Sequence, residues 1–191
     1  TLIDVLLLKG NIGKPGAGIC PVRGHSNVQG DRTMGITEHP SALFLDRLEA
    51  TFPIKAPRQP GYGTITAIQA MLEGKAKVFI GLGGNFAAAT PDTKMTEEAL
   101  AQTKLTVHIS TKLNRSHLIV GEQALILPCL GRTEIDIQNG VPQMVTVEDS
   151  MSMVHGSGGI NKPVSPHLLS EPAINAGMAK ATLPEVKIDW D

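Results

Sequence analysis

A chain of 191 residues with 41% apolar residues is long enough for one domain, or one and a fraction, around a packed core. Aromatic residues make up only 3%, so that core must be built from Leu, Ile, Val, Ala and Met. The formal net charge of −1, without a basic block, argues against a nucleic-acid groove or an anionic membrane surface as partner.

The opening run "TLIDVLLLKG" reads as the last turns of a helix closed by Gly10. It is too short to span a membrane and lacks the basic leader and cleavage site of a signal peptide. The chain is therefore expected to be an internal piece of a longer protein. "GNIGKPGAGICPVRGHSNVQGDRTMG", Gly10 to Gly35, then gathers seven of the chain's 20 glycines. Lys14, Arg23, His25, Asn27, Gln29 and Arg32 are threaded through it. Glycine costs conformational entropy on folding, so such a run marks strained turns or close backbone approach to a ligand. Forked donors on that backbone would suit an anionic, hydrogen-bonding ligand.

"PSALFLDRLEATF" places Phe44, Leu45 and Leu48 on one helical face, with Pro40 near its start. "APRQPGYG" is a loop, and Ile65, Ile68, Met71 and Leu72 mark a second amphipathic helix closed by Gly74. "KVFIGL" reads as a buried strand, "GGNFAAATPD" as a loop, "EEALAQT" as helix, and "LTVHIS" and "QALILP" as further short strands. Helices alternating with short apolar strands predict an α/β fold with a doubly wound, mostly parallel, Rossmann-like sheet over residues 1–128. From Cys129 the pattern changes. "TEIDIQ" and "QMVTVED" alternate with period two, as half-exposed antiparallel strands do. Residues 129–191 are expected to form a small β patch, with a last helix within "SEPAINAGMAKAT" and a tail.

In an open parallel sheet, ligands bind beyond the carboxyl ends of the strands. That rule selects Gly81–Asp92, Ser110–Ser116 and Pro128–Glu134. Gly83, Gly84 and Asn85 have the composition of a phosphate-approach loop or of a plain tight turn. The dinucleotide fingerprint G-x-G-x-x-G/A fails at Phe86, and the P-loop pattern fails at Pro15. Ser110, Thr111, Lys112 and Asn114 can bond a ribose, a guanine edge or a phosphate, or simply cap the next helix. The six histidines form no HExxH or HxH pair, and G-x-S-x-G is absent. Cys20 and Cys129 form no CxxC pair and cannot alone carry an iron–sulfur cluster or a Cys-rich zinc site. They provide no disulfide framework and favour a reducing, cytoplasmic compartment. The residues thus describe a binding domain for a phosphorylated, nucleotide-like cofactor, rich in donors and without a catalyst.

The segment "GNIGKPGAGICPVRGHSNVQGDRTMG" resembles the G-N-x-G-x-P-x-x-G-x-x-P-x-R-G-x-x-N-V-Q-G-x-x-x-M-G stretch of formate dehydrogenase-like molybdopterin oxidoreductases. "GLGGNFAAATPD" is similar to that family's G-x-N/D-P loop, with Phe86 in place of the proline. "STKLNRSH…ALILPCLGRTEID" resembles its stretch from a polar strand end through A-D-x-x-L-P to a glutamate-bearing loop, except that Leu125 follows Ala124 where the aspartate would stand. The likeness runs from Leu2 to about Gly159. It implies the catalytic (alpha) subunit of a molybdenum-dependent two-electron oxidoreductase, with molybdenum or tungsten held between two pterin guanine dinucleotides. Residues 1–128 would be its pterin-dinucleotide-binding domain.

By the same resemblance, Pro21, Arg23, Gly24, Asn27, Gln29 and Gly30 wrap one pterin dinucleotide. Gly84, Asn85, Ser110, Thr111, Lys112, Asn114, Thr133 and Glu134 hold its pyrophosphate and guanosine. Arg23 offers a planar fork to a phosphate or a pterin carbonyl, or else pins the loop to an acidic residue such as Asp31. Asn27 and Gln29 carry the donor and acceptor that suit a pterin edge. The metal-ligating residue and the iron–sulfur cysteines lie upstream in the family, so this chain alone is expected to be inactive and to hold no stoichiometric metal. Its expected partners are the cofactor, the remaining domains of the same polypeptide and an electron-transfer partner, with no nucleic acid and no membrane. Two other readings compete: the central domain of a thiamine diphosphate enzyme, and a non-catalytic interaction module whose glycine-rich loop meets a protein.

Overall fold

The computed structural model describes residues 1–19, 25 and 27–190. Among the described residues, four helices come first: α1 (Leu2–Leu8), α2 (Val28–Thr33), α3 (Ala42–Thr51) and α4 (Thr64–Leu72). Their ends follow the residues predicted to set them. After α1, Gly10 adopts φ +63°, its N–H donates to Leu7 O, and the Asn11 N–H donates to Leu6 O. That is the double bond of a glycine-terminated helix. Gly74 ends α4 in the same way, with φ +68° and bonds from Gly74 and Lys75 to Met71 O and Ala70 O. At the start of α3, Ser41 Oγ accepts the Phe44 N–H at 3.2 Å.

The sheet begins with β1 (Val78–Leu82), followed by the short α5 (Phe86–Ala89) and by α6 (Thr93–Ala101), whose first turn is capped by Asp92. Then come β2 (Leu105–Ser110), a 3₁₀ turn over Arg115–Leu118 and β3 (Gln123–Pro128). The strands lie in the order β1-β2-β3, all parallel, with Ile80 opposite Val107 and Val107 opposite Leu125. Two antiparallel pairs follow, β4 (Ile137–Gln138) with β5 (Val141–Pro142), and β6 (Val145–Glu148) with β7 (Val154–Ser157). The last helix, α7 (Glu171–Thr182), starts at Ser170 with a proline in its first turn.

Helices cover both faces of the parallel sheet, as the alternation of elements predicts. On one face Ile68 and Met71 of α4 pack with Ala87, Ala99 and Leu100, joined by Phe79 and Phe86. On the other, Val107, Ile109 and Cys129 pack against Ile174 and Met178 of α7. Leu100 and Ile109 are fully buried, each contributing about 1.5–3 kcal/mol by removal from water.

Three expectations are corrected. "KVFIGL" and "QALILP" are strands, but only β2 is buried along its length. Val78, Ile80 and Leu82 of β1 remain 53%, 55% and 43% exposed, because among the described residues α7 covers that face only over β2 and β3. "GGNFAAATPD" is not all loop, since α5 forms at Phe86. "TEIDIQ" is a strand only in its last two residues, where β4 forms; Glu134 instead makes an isolated parallel bridge with Asn161.

Candidate functional site

The carboxyl ends of β1 and β2 are tied into one polar assembly. The Gly83 N–H donates to Ile109 O at 2.7 Å, which joins the two strand ends at their base. Gly83 and Gly84 both have positive φ, +67° and +69°, and no heavy atom lies within 4 Å of where a Cβ would stand. The backbone there is open to close approach, as a phosphate requires. Asn114 Nδ2 donates to Gly84 O at 2.7 Å, and Asn114 Oδ1 accepts the Ser116 N–H at 3.0 Å. The buried Ser116 hydroxyl then donates to Asn85 Oδ1 and accepts the Ala87 N–H, both at 2.9 Å. Gly84, Asn85 and Asn114 are thus brought together, with Asn114 acting both as bridge and as cap of the 3₁₀ turn. Ser110 Oγ donates to Lys112 O at 2.7 Å, which folds the turn and leaves Thr111 and Lys112 on the exposed rim.

Beneath this rim two imidazoles face each other. His108 of β2 and His117 are buried, with ring centroids 4.9 Å apart. Nδ1 of His117 lies 2.9 Å from the Asn114 backbone N and 3.2 Å from both Asn114 O and Asn114 Oδ1. The Nε2 atoms of both rings lack a partner among the described residues. Burial, and secondarily the neighbouring His117, lower the pKa of His108.

In the glycine-rich segment, Pro21, Arg23 and Gly24, together with Cys20, lie outside the described residues. Asn27 and Gln29, expected at a pterin edge, engage the β6–β7 hairpin. Asn27 Nδ2 donates to Thr146 O at 3.2 Å while its Oδ1 accepts the Glu148 N–H at 3.0 Å. Gln29 Nε2 donates to Glu148 Oε1 and to Ser152 Oγ. Gly30 lies inside α2, and a Cβ there would stand 2.2 Å from Asn27 Oδ1. At the end of α2, Arg32 pairs with Glu38 and donates to Thr37 Oγ1 at 2.7 Å. The hydrogen bond from Arg32 holds the Glu38 carboxyl down at about 2.

Thr133 and Glu134 lie in the loop after β3. Thr133 O accepts the N–H groups of Ile160 and Asn161, and Glu134 Oε2 accepts the Gly131 N–H at 2.6 Å. A cavity of about 170 Å³ opens here, between this loop, the hairpin and the start of α7. Its polar lining includes Arg132, Glu134, Asp136, Ser157, Ser170 and Glu171. Arg132 Nε donates to Ser157 Oγ of β7 at 3.2 Å. The hairpin that holds α2 therefore also meets the loop after β3. Among the described residues, no group of three or more His, Cys, Asp or Glu side chains is placed to hold a metal ion, and no helix is long and apolar enough to cross a membrane.

This arrangement occurs in a chain with clear relatives. Protein YdeP of Escherichia coli K12 is 55% identical over 190 residues, covering 100% of this chain and 25% of that protein. The uncharacterized oxidoreductase Rv2900c of Mycobacterium tuberculosis H37Rv is 57% identical over 189 residues, covering 98% of this chain and 24% of the relative. The putative formate dehydrogenase YrhE of Bacillus subtilis 168 is 29% identical over 109 residues, 51% of this chain and 11% of that protein. No family model matches. The chain thus spans about a quarter of the length of the curated relatives it matches across its whole extent.

Four structural residues were given no role by the sequence reading, Ser116, His117, Arg132 and Glu148, although Ser116 and Arg132 fall within the loops it selected. Ser116 and His117 stand in the polar run after "LTVHIS" and were legible as loop, but their burial depends on α5 packing above them. Nothing local distinguishes Glu148. Its partners Gln29 and Thr33 lie 119 and 115 positions away.

Proposed function

We propose that this chain is the part of a molybdopterin-dependent two-electron oxidoreductase, formate dehydrogenase-like, that holds a pterin guanine dinucleotide. The observation that carries the reading is the open pair Gly83–Gly84 at the carboxyl end of a parallel strand, tied through Asn114 to the next strand end. It has the exposed backbone and neighbouring donors that a pyrophosphate needs. The Gly10–Gly35 motif supports the same ligand, as do relatives named as oxidoreductases and a more distant one named as a putative formate dehydrogenase.

In this reading the bound metal–pterin group supplies the two-electron chemistry, and the chain's own residues bind and orient it. Gly84 and Asn85 offer backbone to the pyrophosphate. Thr111, Lys112 and Asn114 offer hydroxyl, ammonium and amide donors to phosphate and guanosine, and Ser110, whose hydroxyl donates to Lys112 O, offers an acceptor. Glu134 lines the cavity after β3, and Thr133 stands next to it in the same loop. Arg23, which follows Pro21 and precedes Gly24 closely in the sequence motif, supplies a charge-assisted fork. The metal ligand, any iron–sulfur cluster and the electron-transfer contact belong to the remaining domains, so this chain by itself is inactive.

Arg23→Ala in the full-length protein tests the role of the motif. Losing one or two charge-assisted bonds to a buried anion costs about 2–4 kcal/mol. Pterin released by acid extraction should therefore fall at least tenfold, while the melting temperature of the apo form changes little. Equal pterin content in wild type and variant would contradict the assignment.

A further inference from the structure

Glu148 ends β6 at the point where the hairpin meets α2, and three of its groups take part in that contact. Its backbone N–H donates to Asn27 Oδ1, its Oε1 accepts Gln29 Nε2 at 2.9 Å, and its Oε2 accepts the Thr33 hydroxyl at 2.6 Å. Asn27 completes the joint by donating to Thr146 O, two residues back along β6. Groups two residues apart on a strand point to the same edge. One side-chain amide therefore occupies that edge as a neighbouring strand would. The joint explains Gly30 as well, since any Cβ at that position would collide with the Asn27 amide.

We propose that Glu148 is a positioning residue, whose carboxylate and N–H fix α2 on the hairpin and so set the direction in which the glycine-rich segment meets its ligand. Asn27 and Gln29 then act through the protein, as the segment's side of the bracket, rather than on the ligand itself. A carboxylate suits the position because Gln29 Nε2 and the Thr33 hydroxyl both donate to it and it offers only acceptors. The consequence for ligand binding rests on the function proposed above; the clamp itself is a statement about α2.

The test uses the full-length polypeptide, with hydrogen–deuterium exchange read over residues 28–36 and acid-extracted pterin read in parallel. Glu148→Ala is expected to speed exchange there about 10- to 100-fold, leave β1–β3 unchanged and lower pterin content. Gly30→Ala, which leaves the hairpin sequence untouched, should do the same, so the idea stays testable if Glu148→Ala does not fold. Glu148→Gln keeps one acceptor and should fall between. Adding Gln29→Ala to Glu148→Ala should increase exchange by less than Gln29→Ala does alone, because the two share the Gln29–Glu148 bond, while the Gln29–Ser152 bond is left to lose. Unchanged exchange in Glu148→Ala, multiplying effects of Gln29→Ala and Glu148→Ala, or faster exchange with full pterin content would each overturn the proposal. Wild-type protein free of pterin would instead defeat the functional reading, while the exchange data still decide the clamp.

Discussion

His108 shows how a single buried side chain sets a pH limit on this fold. Its pKa in the folded state is lowered from the ordinary 6.5, chiefly by burial. Between the two values the unfolded chain binds more protons than the folded one, so stability rises with pH across that window. The contribution is present above about 6.5 and is lost as pH falls through the folded-state value. We expect His108→Leu to flatten this acid limb, measured by denaturant midpoints between pH 5 and 7; an unchanged slope would show that the imidazole is solvated. Gly159 carries a steric limit of similar clarity. A Cβ there would lie 2.0 Å from the carbonyl oxygen of Glu134, so Gly159→Ala must push apart the bridge between Glu134 and Asn161. A loss of about 3 kcal/mol is expected, and a neutral substitution would contradict the close approach. Cys129 is buried, and burial pushes its thiol pKa up. Its alkylation should therefore follow global unfolding, measured by mass spectrometry along a urea series.

Among the elements, those whose ends are fixed locally were the legible ones. Gly10 and Gly74 terminate their helices by backbone conformation, which a sequence displays directly. The three parallel strands were legible from their apolar runs, but their burial was not, since it depends on which helices lie over them. α2 was missed for a related reason. A six-residue helix with glycine at its centre has little propensity of its own and forms here against the hairpin. The candidate site divides along the same line: Gly84, Asn85 and Asn114 were visible as strand-end loops, whereas Ser116 and Glu148 act through contacts that sequence proximity does not reveal. Two substitutions read the difference between the strands. Ile109 is fully buried on β2, so Ile109→Ala should cost about 2–5 kcal/mol. Ile80 on β1 is half exposed, and Ile80→Ala should cost less than about 1 kcal/mol. Equal losses in chemical denaturation would mean that the face of β1 is covered in the protein as measured.

At the scale of the whole molecule, the β6–β7 hairpin joins the two regions assigned to one ligand. It holds α2 of the glycine-rich segment through Glu148, and it meets the loop after β3 through Ser157 and Arg132. A ligand as long as a dinucleotide needs such separated regions at a fixed spacing. The chain spans about a quarter of its relatives' length. The most direct test of the central claim is to purify the full-length protein and measure pterin, guanosine monophosphate and metal after acid extraction. Pterin and guanosine monophosphate released in equal amounts, together with molybdenum or tungsten, is the result expected. A folded full-length protein that releases neither pterin nor guanosine nucleotide would contradict it.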